Sequence, residues 1–208
     1  IDDNGKIAAV GADVACPDGA QVIDAEGRLV TPGCVEAHCH IGVSEEIIGD
    51  KGVDHNEKSD PVVPQMRAID AVRLEDGRVE NARRGGVTTL CTGPGSSNIV
   101  GGTFVAIKPV GNCVDDVVLK NPVAMKCAFG ENPKSAYGSS KKAPVTRMAT
   151  AAMLRELLFK ARDYMEAKDA GKEPKFDMKL EAMLPVMRKE IPLKAHAHRA
   201  DDILTSIR

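Results

Sequence analysis

From Leu29 onward, short apolar runs closed by glycine or proline alternate with segments of helical spacing, and this alternation constrains the fold more than any other feature. Leu29-Val30 leads through Thr31-Pro32-Gly33 into the run Val35–His40. Pro64 can open a helix through Met66, Ile69 and Val72, broken or kinked at Gly77 and closed by Gly85-Gly86. Val87–Cys91 then reads as a short buried strand, with Phe104–Ile107 and Val123–Phe129 as the next candidates. The spacing predicts a long helix over 146–170, ended by Gly171. Leu180, Met183, Leu184 and Met187 mark one face of another helix, interrupted by Pro185. Leu193–Ala197 is the last strand, and Asp201-Asp202 sits where acids favour a helix N-terminus. Strands alternating with helices predict an α/β fold with a parallel sheet or barrel.

Residues 1–30 read differently. The β-like runs Lys6–Val10 and Gln21–Ile23 are separated by Asn4-Gly5 and Asp18-Gly19 turns, which predicts hairpins of a small sheet. The chain opens on Ile1 in what reads as mid-hairpin and ends at Arg208 a few residues into a helix, so both ends are expected to continue.

Four of the five histidines fall in two His-x-His pairs, His38/His40 and His196/His198. On a strand, residues i and i+2 share a face, so each pair presents two imidazoles side by side at the C-terminal end of its strand. That is the end at which a barrel builds its active site. Neighbouring imidazoles with one or two further ligands suit Zn²⁺ or a similar borderline divalent metal. His55 lies in the charged stretch 54–60 and is expected in a solvated loop.

Composition excludes several partners. With 28 Lys+Arg against 30 Asp+Glu, the net charge of −2 gives no electrostatic footprint for nucleic acid or a membrane surface. No apolar run approaches the ~18–20 residues that span a bilayer. The six cysteines (Cys16, Cys34, Cys39, Cys91, Cys113 and Cys127) include no CxxC pair and are expected as reduced thiols of a cytoplasmic protein.

The block Val22–Gly33 running into His38-Cys39-His40 resembles the metal-dependent amidohydrolase superfamily, in particular its imidazolonepropionase-like and prolidase-like branch. Gly85-Gly86-Val87-Thr88-Thr89 looks like the second barrel strand of that family, and Lys194–His198 looks like the fifth. Glu36 stands where the family usually has Asp. The resemblance implies a partial (β/α)8 TIM barrel, about strands one to five, over residues 31–208. It also implies that residues 1–30 enter a small composite β-sandwich.

By the same resemblance, His38, His40 and His196 are metal ligands and His198 is a substrate-side group. The family adds a carboxylate from a glutamate or a carboxylated lysine, here Glu131 or Lys126. In a regular strand these two have opposite parity, so only one should face the pocket. Glu131 ranks first, since it needs no modification. The family's sixth-strand histidine and eighth-strand aspartate are expected beyond Arg208. The implied activity is hydrolysis of an amide, cyclic amide or peptide-like C–N bond in a small molecule by metal-activated water. A homo-oligomer is a further expectation. The rival is a non-catalytic barrel that serves as a binding or assembly module.

Overall fold

The computed structural model describes residues 1–46, 48–140 and 142–208. They form two compact units, Ile1–Pro32 and Gly33–Arg208.

The first unit is a run of extended segments and turns. Asp2 accepts the backbone N–H groups of Asn4 and Lys6 at 3.0 and 2.8 Å, closing the Asn4-Gly5 turn. A second turn places Glu26 and Gly27 at φ 50° and 74°, with Arg28 N donating to Ala25 O at 2.8 Å. The turns stand where the sequence puts them, but the hairpin sheet does not. Lys6–Val10 and Gln21–Ile23 are in no strand, because neither finds a partner backbone to complete a ladder.

The second unit is an α/β structure with two sheets. The strands are β1 (Cys34–Cys39), β2 (Val87–Thr92), β3 (Val100–Thr103), β4 (Val105–Ile107), β5 (Val118–Lys120), β6 (Met125–Ala128) and β7 (Leu193–His196). One sheet has the order β1-β2-β4-β5, the other β3-β6-β7. Pairing is parallel at β1–β2 and β6–β7, as strand–helix alternation predicts. It is antiparallel at β2–β4, β4–β5 and β3–β6. The antiparallel ladders belong to β3, β4 and β5, whose connections carry no α-helix to return the chain in parallel.

Among the described residues, five α-helices complete the unit: α1 (Gly77–Arg84), α2 (Glu131–Gly138), α3 (Arg147–Asp169), α4 (Met178–Met187) and α5 (Ala200–Ile207). Thr146 caps α3 by accepting from Ala149 N at 3.0 Å. The helix expected from Pro64 is absent; a short 3-10 turn covers Ala68–Ala71 instead. Gly77 is the first residue of α1, not its break, since Asp76 accepts from Arg78 N and caps the helix there.

Strand alternation decides which side chains meet the helices. Met125, Cys127 and Phe129 join Ile99, Val100, Leu154, Leu157, Ala161 and Met183 in one apolar core beneath α3 and α4. Leu193 and Ala197 pack against that core from β7 and the residue just past it. Lys126, Lys194 and His196 alternate with those residues along their strands, and so fall on the opposite face of this sheet. A second core, around Val43, Leu74, Leu90, Val105 and Ile107, supports the other sheet. Among the described residues no helix is long and apolar enough to cross a membrane, and all six cysteines are free.

Candidate metal centre

Each His-x-His pair stands at the C-terminal end of its strand. The His38 and His40 rings are 5.3 Å apart at 80°, and those of His196 and His198 are 4.5 Å apart at 83°. The Nδ1 atom of His40 is 2.7 Å from Gly93 O, just past β2. A carbonyl can only accept, so Nδ1 carries the proton and Nε2 is left with a free lone pair. The Nε2 atom of His196 is buried and has no hydrogen-bond partner among the described residues. Such an atom is costly unless something binds it.

The lysine on β6 unites the two pairs electrostatically. Burial lowers the pKa values of His38, His40 and His196, and the Lys126 ammonium lowers each further. His38 falls to about 4. The imidazoles are therefore neutral near pH 7, the form in which they ligate metals. Lys126 itself is 1% exposed, and burial, helped by Lys194, pulls its ammonium down to about 8.

Lys194 reaches across to β1. Its Nζ donates to Ala37 O at 2.7 Å, lies 3.4 Å from Cys91 Sγ and stands 4.2 Å from the Phe104 ring centroid. Phe104 in turn packs on His38, with centroids 5.1 Å apart.

Glu131 and His198 lie farther out. Glu131 does not end a strand; it opens α2, with its side chain 47% exposed and 3.4 Å from Arg147. His198 is 59% exposed and its Nε2 is 4.0 Å from Glu131 Oε1. Among the described residues no three His, Cys, Asp or Glu side chains are gathered closely enough to hold a metal ion. What His38, His40 and His196 share is the charge of Lys126, which bears on all three.

His55 is where sequence reasoning missed. Its loop is largely exposed, as expected, but the ring is not turned to solvent: it stacks on His40, 5.5 Å between centroids and 25° between planes. Its loop is fixed to the Gly93–Asn98 turn. Gly95 N donates to His55 O at 2.6 Å and Ser97 N to Asn56 Oδ1 at 3.0 Å. The fully buried Asn98 donates to Glu57 O and, at 2.9 Å, to Asp60 O, and the Tyr137 hydroxyl closes the network. Gly95 permits the approach, because a Cβ there would sit 2.6 Å from His55 Cδ2. The charge density of residues 54–60 hid this; the Gly-Pro-Gly turn at 93–95 was the one signal of close backbone contact.

No family model matches the chain. The chain is 31% identical over 211 residues to the amidohydrolase TasK of Hapsidospora irregularis, an alignment that covers 90% of this chain and 22% of TasK. It is 34% identical over 102 residues to an imidazolonepropionase of Klebsiella pneumoniae, covering 42% of this chain and 25% of the relative. A crystal structure of an amidohydrolase from Thermotoga maritima superposes with a TM-score of 0.94 and 44% identity, over 100% of this chain and 55% of that one. The chain thus spans between a fifth and a little over half of the length of these relatives. With histidine pairs at the strand ends, this sheet arrangement and likeness at both levels, the chain belongs to the metal-dependent amidohydrolase superfamily.

Proposed function

We propose that the protein hydrolyses an amide, cyclic amide or peptide-like C–N bond of a small molecule at a divalent metal site, in a (β/α)8 barrel of which this chain supplies about five strands. The observation that carries this reading is the set of neutral imidazoles at two strand ends, grouped electrostatically about one buried lysine. The donor chemistry suits zinc, although the three imidazoles are not drawn together as they stand: His196 Nε2 is buried without a partner among the described residues, and the Gly93 carbonyl orients His40 with Nε2 unprotonated. When bound, such an ion supplies water activation and polarisation of the scissile carbonyl.

His38, His40 and His196 would hold the ion. For the carboxylate ligand the reading favours Lys126 over Glu131. A buried lysine held near pKa 8 has an appreciable fraction of free amine, which adds to CO₂ to give a carbamate and releases one proton. Glu131 is engaged with Arg147 at the surface of the site. His198, exposed beside His196, would meet the substrate from the solvent side.

Metal analysis of the purified protein, followed by assay on N-acyl amino acids, dipeptides and cyclic amides before and after chelation, tests this. Bound zinc near stoichiometry with chelator-sensitive turnover is expected. A metal-free protein that neither takes up zinc nor hydrolyses any of the panel would sink the reading in favour of a non-catalytic barrel.

A further inference from the structure

The sequence gives His55 no role, yet it is the histidine most firmly built into the strand-end cluster. Its ring covers His40, and four hydrogen-bond donors or acceptors fix the backbone on either side of it. Beside it lies a cavity of about 230 Å³, walled by the same Gly93-Pro94 turn that orients His40. Cavities that enclose a whole small molecule run from about 300 Å³ upwards, so this one takes a fragment of a substrate.

Two features say what kind of fragment. The cavity is lined in part by apolar side chains, Val43, Val53 and Met66, and in part by polar ones. Its polar groups lean to one sign. Arg67 is committed to Asp70 through two hydrogen bonds of 2.9 and 2.7 Å, which leaves Asp54 and Glu57 as lining carboxylates without an ion-pair partner among the described residues. Lys58 and Arg78, whose charges also bear on His55, lie outside the lining. A phenylalanine would stack on His40 as well as an imidazole does. The imidazole instead brings a buried Nδ1 that has no partner among the described residues, a cost that a stacking platform alone does not explain.

We infer that His55, Asp54 and Glu57 form a recognition subsite beside His40 for a compact aliphatic side chain ending in an ammonium or similar hydrogen-bond-donating cation. The inference rests on the hydrolase reading only in calling that ligand part of a substrate; the cavity itself needs no metal. An apolar stem of three to four carbons fills the Val43–Met66 side, and the cationic end meets Asp54 and the Glu57 carboxylate, whose Oε1 already accepts from Ser59 N at 2.9 Å. His55 separates this subsite from the reacting end of the molecule.

The test is a titration of the metal-free protein with n-butylammonium, n-butanol and butyrate, read on the histidine ring signals by NMR. Saturable shifts of the His55 signals by butylammonium are expected, with butyrate at least tenfold weaker. His55→Phe keeps the stack and should weaken butylammonium at least fivefold. Asp54→Asn, which leaves the ring in place, should narrow the preference over butanol at least threefold. Equal binding of butyrate, no saturable shift, or variants indistinguishable from the parent would each overturn the subsite. A parent that binds butylammonium as described, yet hydrolyses no N-acyl-lysine amide or other amide with metal supplied, would support the subsite and overturn the hydrolase reading instead.

Discussion

Lys126 on β6 and Lys194 on β7 stand directly opposite each other in a parallel ladder, two ammonium groups on one face of one sheet. Like charges placed so are destabilising, and the two lysines resolve the conflict differently. Lys194 escapes across the strand ends to Ala37 O and the face of Phe104. Lys126 stays buried and loses much of its hold on the proton. Lys194 thereby ties the strand bearing His196 to the strand bearing His38, while the charge of Lys126 bears on His38, His40 and His196.

Replacing Lys126 by Met keeps the stem and removes the amine. Zinc affinity of Lys126→Met should fall at least 100-fold, in line with the loss of a charged ligand, while the Glu131→Gln protein should stay within about threefold of the parent. Equilibrium dialysis against zinc with atomic absorption readout compares them. A larger loss in Glu131→Gln than in Lys126→Met would return the bridging role to Glu131.

Asn98 holds the His55 loop by donating to two backbone carbonyls from a site 1% exposed. Asn98→Ala removes the amide that serves both carbonyls and leaves the single hydroxyl proton of Tyr137 to be shared between them, which costs about 1–3 kcal/mol. Urea denaturation should show that loss, and amide exchange should rise first at Gly95 and Ser97, whose N–H groups bond to the loop. Loss of stability without faster exchange there would mean that the loop is held by something other than Asn98.

How much of this was legible in the sequence follows from which signals are local. The His-x-His pairs and the long helix over 147–169 are periodicities of 2 and 3.6, and they can be read from spacing alone. Parity likewise said that Lys126 and Glu131 could not share a face of one strand. The α2 helix beginning at Glu131 was not legible, because Pro133 and Gly138 make Glu131–Gly138 a poor helix by propensity. The antiparallel turns of β3, β4 and β5 depend on partners far along the chain. His55 depends on them most: its place is set by Gly95, Ser97 and Asn98, some forty residues away.

Gly130 joins β6 to α2 with φ 78° and ψ −139°, a conformation open in practice to glycine alone. A Cβ there would also lie 2.5 Å from Oδ2 of Asp202, which is 3% exposed and paired with Arg147 at 2.7 Å. Gly130→Ala should therefore destabilise by at least about 2 kcal/mol, strain and displaced ion pair together. Chemical denaturation measures it. A change under 0.5 kcal/mol would mean that the turn can relax without moving Asp202.

Asp60 gives a pH-dependent contribution whose sign can be worked out. Burial raises its pKa, but the Lys179 ammonium at 2.7 Å and the Val62 N–H at 2.8 Å outweigh it, and the net shift is downward from 3.8. A carboxylate with a depressed folded pKa stabilises fully above its unfolded value, and the contribution is lost as pH falls through the folded one. The pair is half-exposed, so its worth is about 1 kcal/mol at most. Asp60→Asn should then lower the melting temperature by about 2–4 °C at pH 7, and the gap to the parent should close as pH falls below 3.8. Because Asp60 anchors the loop of His55 to α4, the same substitution should weaken butylammonium binding at pH 7, although Asp60 does not line the cavity. A melting difference that persists undiminished at pH 2.5 would mean that Asn fails at this position for a reason other than charge.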